Sequence, residues 1–176
     1  MLAHLQKIIT LSLLAAACGW LLYFRGSAPV LAVAGFLLIA LGYTGFLAIE
    51  FILMKRINQG DPVPRPTWPE LLSAWWGESW TAPQVFCWRQ PFRSNVIPDQ
   101  LSPKAVIYGR RGVVFVHGLL CNRGFWTPWL ARLQGGGHAF VALNLEPVWG
   151  SIDAYAPQID AAVRQVTLAT GRAPLL

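Results

Sequence analysis

His117 and Gly118 close an apolar run, Gly112-Val113-Val114-Phe115-Val116, and lead into Leu119-Leu120-Cys121-Asn122-Arg123-Gly124. A continuous β-branched and aromatic run ended by glycine is how a strand buried on both faces of a parallel sheet reads. In open α/β sheets, ligands bind beyond the carboxyl ends of the strands. His117, Gly118, Leu119 and Leu120 are therefore the residues placed to do chemistry. Other reactive groups are poorly placed. Cys18, Cys87 and Cys121 are odd in number and widely spaced, which gives no disulfide framework and no metal site. Such usage fits a reducing compartment. Ser73, Ser79, Ser94, Ser102 and Ser151 lack the sharp strand-to-helix turn of an activated nucleophile. His138 reads as a loop residue, and His4 belongs to the N-terminus. No cofactor is expected.

The elements around this loop follow in order. A helix is expected from Phe125 to Leu133, with Trp126, Leu130 and Leu133 at helical spacing, stopped by Gly135-Gly136-Gly137. Ala139–Leu145 reads as a second buried strand. A second helix runs from about Ala154 to Thr170, capped by Ser151 or Asp153, with Ile159, Ala162, Val163 and Val166 inward and Gly171 as its C′ residue. Ala173-Pro174-Leu175-Leu176 starts a third strand. Strand, helix, strand, helix, strand builds a parallel sheet with right-handed crossovers. The fold class expected is α/β, after an all-α hairpin at the N-terminus.

The stretch from the first strand through His117-Gly118-Leu119-Leu120-Cys121-Asn122-Arg123-Gly124-Phe125-Trp126 resembles the oxyanion loop of α/β-hydrolases, especially bacterial lipases and esterases. Asn144 through Asp153, followed by a helix, resembles the same family, and the likeness covers about Arg110 to Leu176. It implies that the Leu119 amide faces a substrate carbonyl and stabilises the tetrahedral oxyanion. Such a donor is worth roughly 3–4 kcal/mol of barrier. It also implies that His117 supports the loop and is not the catalytic base. The family's serine sits in Gly-x-Ser-x-Gly after the next strand, and this sequence contains no such motif. The chain thus reads as the front part of a truncated hydrolase sheet, inactive alone. Its third strand would lie beside Val113–Val116, and an apolar edge would be left near Leu145 and Ile159.

The first third has a different composition. The 176-residue chain is 55% hydrophobic and 12% charged, where an ordinary soluble domain is about a quarter charged. Ile8–Phe24 and Val30–Ile49 carry no charge, and apolar residues continue to Met54 past Glu50. At about 1.5 Å per residue, roughly 20 residues cross the ~30 Å hydrocarbon core. Spans of about 6–24 and 30–54, joined by Arg25-Gly26-Ser27-Ala28-Pro29, make an antiparallel hairpin within residues 1–56. Ala32, Gly35, Gly42 and Gly45 would let the helices approach. A cleaved leader ending at Leu14-Ala15-Ala16-Ala17-Cys18 is a rival reading, but apolar residues continue directly after Cys18. Buried core helices are disfavoured by length and lack of charge. Lys7, Lys55, Arg56 and Arg65 flank the spans against Arg25 between them. This places both ends and the globular part in the cytoplasm at a bacterial-type inner membrane.

Residues 57–82 read as a linker, Asp61-Pro62-Val63-Pro64-Arg65-Pro66, and a Trp-rich helix from Trp68 to Trp80. Leu72, Trp75, Trp76 and Trp80 share one broad face. Trp68, Trp75, Trp76 and Trp80 therefore suit a membrane interface, or a face packed on protein. Residues 83–176 read as the hydrolase-like part. Pro83–Phe92 reads as a strand, with Phe86 and Trp88 opposite Val85, Cys87 and Arg89, and Pro91 marks an edge strand or the strand's end. Asn95–Pro103 reads as turns.

The net charge of +6, with basic residues such as Lys104 outside the spans, reads as contact with anionic headgroups. No basic helix or RNA-binding motif supports a nucleic-acid partner. The partners expected are the lipid bilayer and a lipid or other apolar ester. The activity implied is a membrane-anchored serine hydrolase. The rivals are a non-catalytic membrane protein with a hydrolase-like interaction half-domain and a small permease, the latter little supported by two spans.

Overall fold

The computed structural model describes residues 1–57, 62, 64–101 and 108–176. Asp61 and Val63 of the linker, and Ser102, Pro103 and Lys104, lie outside the described residues. The chain forms two compact units, one of Met1–Lys7 with Val85–Leu176 and one of Ile8–Gln84.

The helical unit holds most of α1 (Leu2–Phe24), α2 (Pro29–Ile57) and α3 (Trp68–Pro83). Both α1 and α2 are long and apolar enough to cross a membrane, and only 6% of each apolar window is buried. They meet through small residues. Ala17 and Ala32 are buried, and a Cβ on Gly35 would lie 2.0 Å from Trp20 Nε1. The Trp20 indole N–H donates to the Leu31 carbonyl at 3.0 Å. Gly45 meets nothing, and Gly42 meets only Leu38 of its own helix. Only the first half of the small-residue series therefore serves helix approach.

Helix α3 opens with a capping box. Thr67 accepts from the Glu70 amide, and the Glu70 carboxylate accepts from the Thr67 amide at 2.7 Å. Leu71 and Trp75 turn toward α2, where the Trp75 indole donates to the Thr44 carbonyl at 2.8 Å and the Tyr43 hydroxyl donates to the Ser79 carbonyl.

The segment expected as a strand over Pro83–Phe92 is helical instead. After α3 comes a π-helical turn, Gln84–Arg89, then α4, Gln90–Arg93. A π turn is wider than an α turn, and here Val85 and Gln90, five residues apart, are both buried. Pro91, expected to mark an edge strand or a strand end, instead sits in the first turn of α4, where the missing N–H costs nothing. The alternation of apolar residues was real but local.

The α/β unit is built on β1 (Val113–Phe115) and β2 (Phe140–Ala142), which pair in parallel with Val114 opposite Val141. A 3₁₀ turn (Arg123–Trp126) and α5 (Thr127–Gly135) connect them, and α6 (Ile152–Thr170) follows. Leu175 bridges Val113 in parallel on the other side of β1, with the Val114 amide donating to the Leu175 carbonyl at 2.8 Å. Gln100 bridges Phe140 in antiparallel. Strand β1 therefore runs between β2 and the segment at Leu175. The strands are shorter than the apolar runs that encode them, because regular pairing covers only three residues.

One core layer holds Val114, Val141, Ala162 and Val166, under α6. The other holds Leu130, Phe140 and Ala142, with Trp126 and Leu133 packed on it. Gly112 lets α6 come close, since a Cβ there would lie 2.4 Å from Val166 Cγ1. Ser151 caps α6 and Gly171 ends it at φ +71°. Mostly helical overall, the chain shows an α/β arrangement on a small parallel sheet.

Candidate functional site

The loop after β1 turns sharply. The Cys121 amide donates to the Gly118 carbonyl at 3.2 Å, closing a β-turn across Leu119 and Leu120. Leu120 has φ +59° and is the one non-glycine residue with positive φ among the described residues. A positive φ at the third position marks a type II turn, which normally takes glycine there. A leucine held left-handed costs about 1–2 kcal/mol. Such strain persists where the surroundings fix it, often at binding sites.

Several side chains do the fixing. The His117 imidazole is nearly buried, and its Nε2 accepts from the Leu145 amide at 3.0 Å. An accepting Nε2 leaves the proton on Nδ1, which faces the Gly118 carbonyl at 2.9 Å. His117 thus ties the end of the β1 segment to the chain after β2, with both nitrogens engaged. That geometry suits a supporting residue and leaves no nitrogen to act as a base.

Asn122 holds the loop from below. Its amide donates to Gln90 Oε1 at 2.9 Å, its Nδ2 donates to the Gln90 carbonyl at 3.0 Å, and its Oδ1 accepts from the Gly124 amide at 2.8 Å. Gln6, in the opening turns of α1, donates to the Leu120 carbonyl at 3.3 Å and accepts from Asn122 Nδ2 at 3.2 Å. A Cβ on Gly124 would lie 2.7 Å from the Arg89 carbonyl, so glycine is required where this segment crosses the loop. Arg123 pairs with Asp99 at 2.8 Å, and its amide donates to Asn144 Oδ1.

Gln6 and Gln90 were invisible as site residues in the sequence. Each is a lone amide with no motif around it, and only the fold brings them to the loop. Asn122 was legible only as part of a loop.

Leu119 is 75% exposed, and its amide makes no hydrogen bond among the described residues. A cavity of about 510 Å³ lies at the carboxyl ends of the strands, lined by His117, Gly118, Leu119, Leu120, Leu145 and Ile159 among others. All four residues singled out after the first strand meet there. Its wall is mainly apolar, with Val148, Ile152 and Tyr155 completing it. Cys121 also lines it, and burial pushes its thiol above the ordinary value. The nearby Gln90 amide pulls the other way without reaching hydrogen-bond geometry, since Gln90 Nε2 has no partner among the described residues. A protonated, half-buried thiol is a poor nucleophile.

The four tryptophans differ in exposure. Trp75 is half-buried against α2, whereas Trp68, Trp76 and Trp80 are exposed. Leu72, which continues the Trp76 and Trp80 stripe, is exposed too. Ser79, between Glu78 and Trp80, lies within α3 and has no elbow around it. Among the described residues, no His, Cys, Asp and Glu cluster forms a metal site. Compared with known proteins, the chain matches no family model, no curated protein and no solved structure.

Proposed function

We propose that this chain is the N-terminal, oxyanion-binding part of a membrane-anchored α/β-hydrolase of the lipase and esterase kind, acting on apolar esters. One observation carries the reading. A strained turn at the end of a central parallel strand leaves the Leu119 amide without a hydrogen-bond partner among the described residues, beside an apolar cavity. An unpaired donor in an apolar surrounding is what stabilises developing negative charge on an acyl oxygen. The position of Leu175 beside β1 supports it further, because the family's nucleophile follows the strand at that place. The two apolar helices serve as the anchor, with the globular part cytoplasmic by the count of basic residues.

The chain itself holds no Gly-x-Ser-x-Gly, so chemistry requires a serine supplied beyond Leu175. The test is the reading frame past the Leu176 codon. A Gly-x-Ser-x-Gly within a few residues is expected, and the extended protein should cleave a short-chain ester and lose activity to a serine-directed reagent. Ester cleavage by residues 1–176 alone, insensitive to that reagent, would overturn the reading.

A further inference from the structure

The helical unit contains a second cavity, of about 190 Å³, walled by Ile52, Lys55, Arg56, Arg65 and Trp68. It lies where the apolar length of α2 gives way to Lys55 and Arg56. Three of its walls are cations. Lys55 is held in place, donating to the Pro66 carbonyl and lying 5.0 Å from the centroid of the Trp68 ring. An ammonium has three N–H groups, so donors remain for a ligand. Arg56 and Arg65 are exposed, and guanidinium forks match phosphate oxygens.

Glu70 is the acidic group facing Lys55 from α3. Its carboxylate is taken up by the Thr67 amide and hydroxyl. It closes the helix N-terminus, and among the described residues lining the cavity there are three cations and no carboxylate. The α3 N-terminus is thereby capped from within and is not itself the anion site. The cavity is smaller than the ~300–1,000 Å³ of ordinary small-molecule pockets. That size favours a compact anion over a nucleotide or a polymer. Ile52 and Trp68 add an apolar and aromatic wall beside the charges, as found where a headgroup meets the acyl region.

We propose that this cavity binds the phosphate of an anionic phospholipid, gripped by Arg56 and Arg65 with Lys55 behind them. The chemistry is that of any phosphate ester. The adjoining 29-residue apolar helix makes a lipid its source. The inference rests on the membrane-anchor part of the proposed function and not on ester hydrolysis.

The full chain in neutral detergent micelles should retain phosphatidylglycerol over phosphatidylcholine by roughly tenfold or more, read by native mass spectrometry. Each of R56Q and R65Q should lower that preference about fivefold. The double R56K/R65K variant, with charge restored, should keep most of it, and unchanged helicity by circular dichroism shows that the variants fold. Equal retention of the two lipids, or a preference unaltered in R56Q/R65Q, would overturn the site. Displacement of phosphatidylglycerol by equimolar glycerol 1-phosphate would overturn the lipid assignment, because a free phosphate ester would then suffice. The anchor is read separately. Carbonate extraction of the wild-type chain from vesicles of the same lipids would sink the anchor reading, whatever the micelle experiment shows.

Discussion

Helices α2 and α6 are both long, yet they solve different problems. Helix α6 keeps its buried residues on one side, Ala162, Val166 and Thr170, and turns charged side chains such as Asp160 and Arg164 outward, where they pair at 2.7 Å. Helix α2 is apolar all round and buries only Ala32. Val30 and Leu38 of α2 stand 82% and 72% exposed. At about 25 cal/mol per Å² of apolar surface, a helix like α6 gains what its stripe can bury in a core. Helix α2 has far more apolar surface than its neighbours cover, so its stability calls for a second apolar medium. One helix is shaped to pack on a protein core, and the other is long and apolar enough to cross a bilayer.

The largest expected effect breaks that contrast from the α/β side. Phe140 is fully buried between β1 and α5, and Phe140→Ala should cost about 3–5 kcal/mol. That is a large share of a small domain's stability. Peptides of β1, β2 and α6 should lose amide protection in hydrogen exchange, while α2 in vesicles keeps its own.

The helical unit has its own weak point. Gly35→Ala forces a Cβ into the Trp20 indole, an overpacking expected to cost about 1–3 kcal/mol. Trp20→Ala should relieve most of it. A double-mutant cycle on the disulfide cross-linking rate of cysteines placed at Ala17 and Ala32 reads the coupling. Additive effects would show that the two helices do not meet there.

Smaller effects belong to the loop. His117→Ala leaves the Leu145 amide without its partner and takes one of two donors from the Gly118 carbonyl, which keeps the Cys121 amide, costing about 1–3 kcal/mol. The urea midpoint of the α/β unit should fall accordingly. Leu120→Gly has the opposite sign. It releases about 1–2 kcal/mol of left-handed strain against about 0.4–1 kcal/mol of added unfolded-state entropy. A slight rise in the midpoint is expected, where glycine at an ordinary exposed loop position would lower it.

The smallest effect is the cap of α3. The Thr67 backbone N–H, then its hydroxyl, hold the Glu70 carboxyl below its usual value. The cap is therefore fully formed above the ordinary carboxylate pKa and fades as pH falls through the lowered one. The protection of the Thr67 amide, measured relative to its intrinsic exchange rate, should fall over that range, and Glu70→Gln should remove this dependence on pH.

Much of this was legible in the sequence, for reasons that differ by region. Helices α1, α2 and α6 declare themselves by length and periodicity, and the Ser151 cap and Gly171 stop by residue type. The parallel pairing of Val113–Phe115 with Phe140–Ala142 follows from alternation of strand and helix. Residues 84–93 misled because Val85, Cys87 and Arg89 alternate with Phe86 and Trp88, a period that a wide π turn also tolerates over so short a run. The split of the tryptophans was hidden for a related reason. Trp75 and Trp76 lie about 100° apart around the helix, at the two sides of one broad face, and only the position of α2 decides which one is covered. At the loop, His117 to Leu120 stood out by their place at a strand end. The clamps from Gln6 and Gln90 needed the fold, because contacts across 32 to 116 residues of chain leave no local pattern.

The Leu119 amide is where the functional reading is tested most directly. In the chain labelled with ¹⁵N-leucine, that amide should exchange with solvent nearly as fast as an open loop, and its proton should move downfield when a medium-chain alkylphosphonate enters the cavity. Leu119→Pro removes the N–H while suiting the second position of a type II turn, so it should abolish the binding and leave the fold intact. Slow exchange of the Leu119 amide in the free protein, or unchanged phosphonate binding in Leu119→Pro, would contradict a site built to receive an oxyanion.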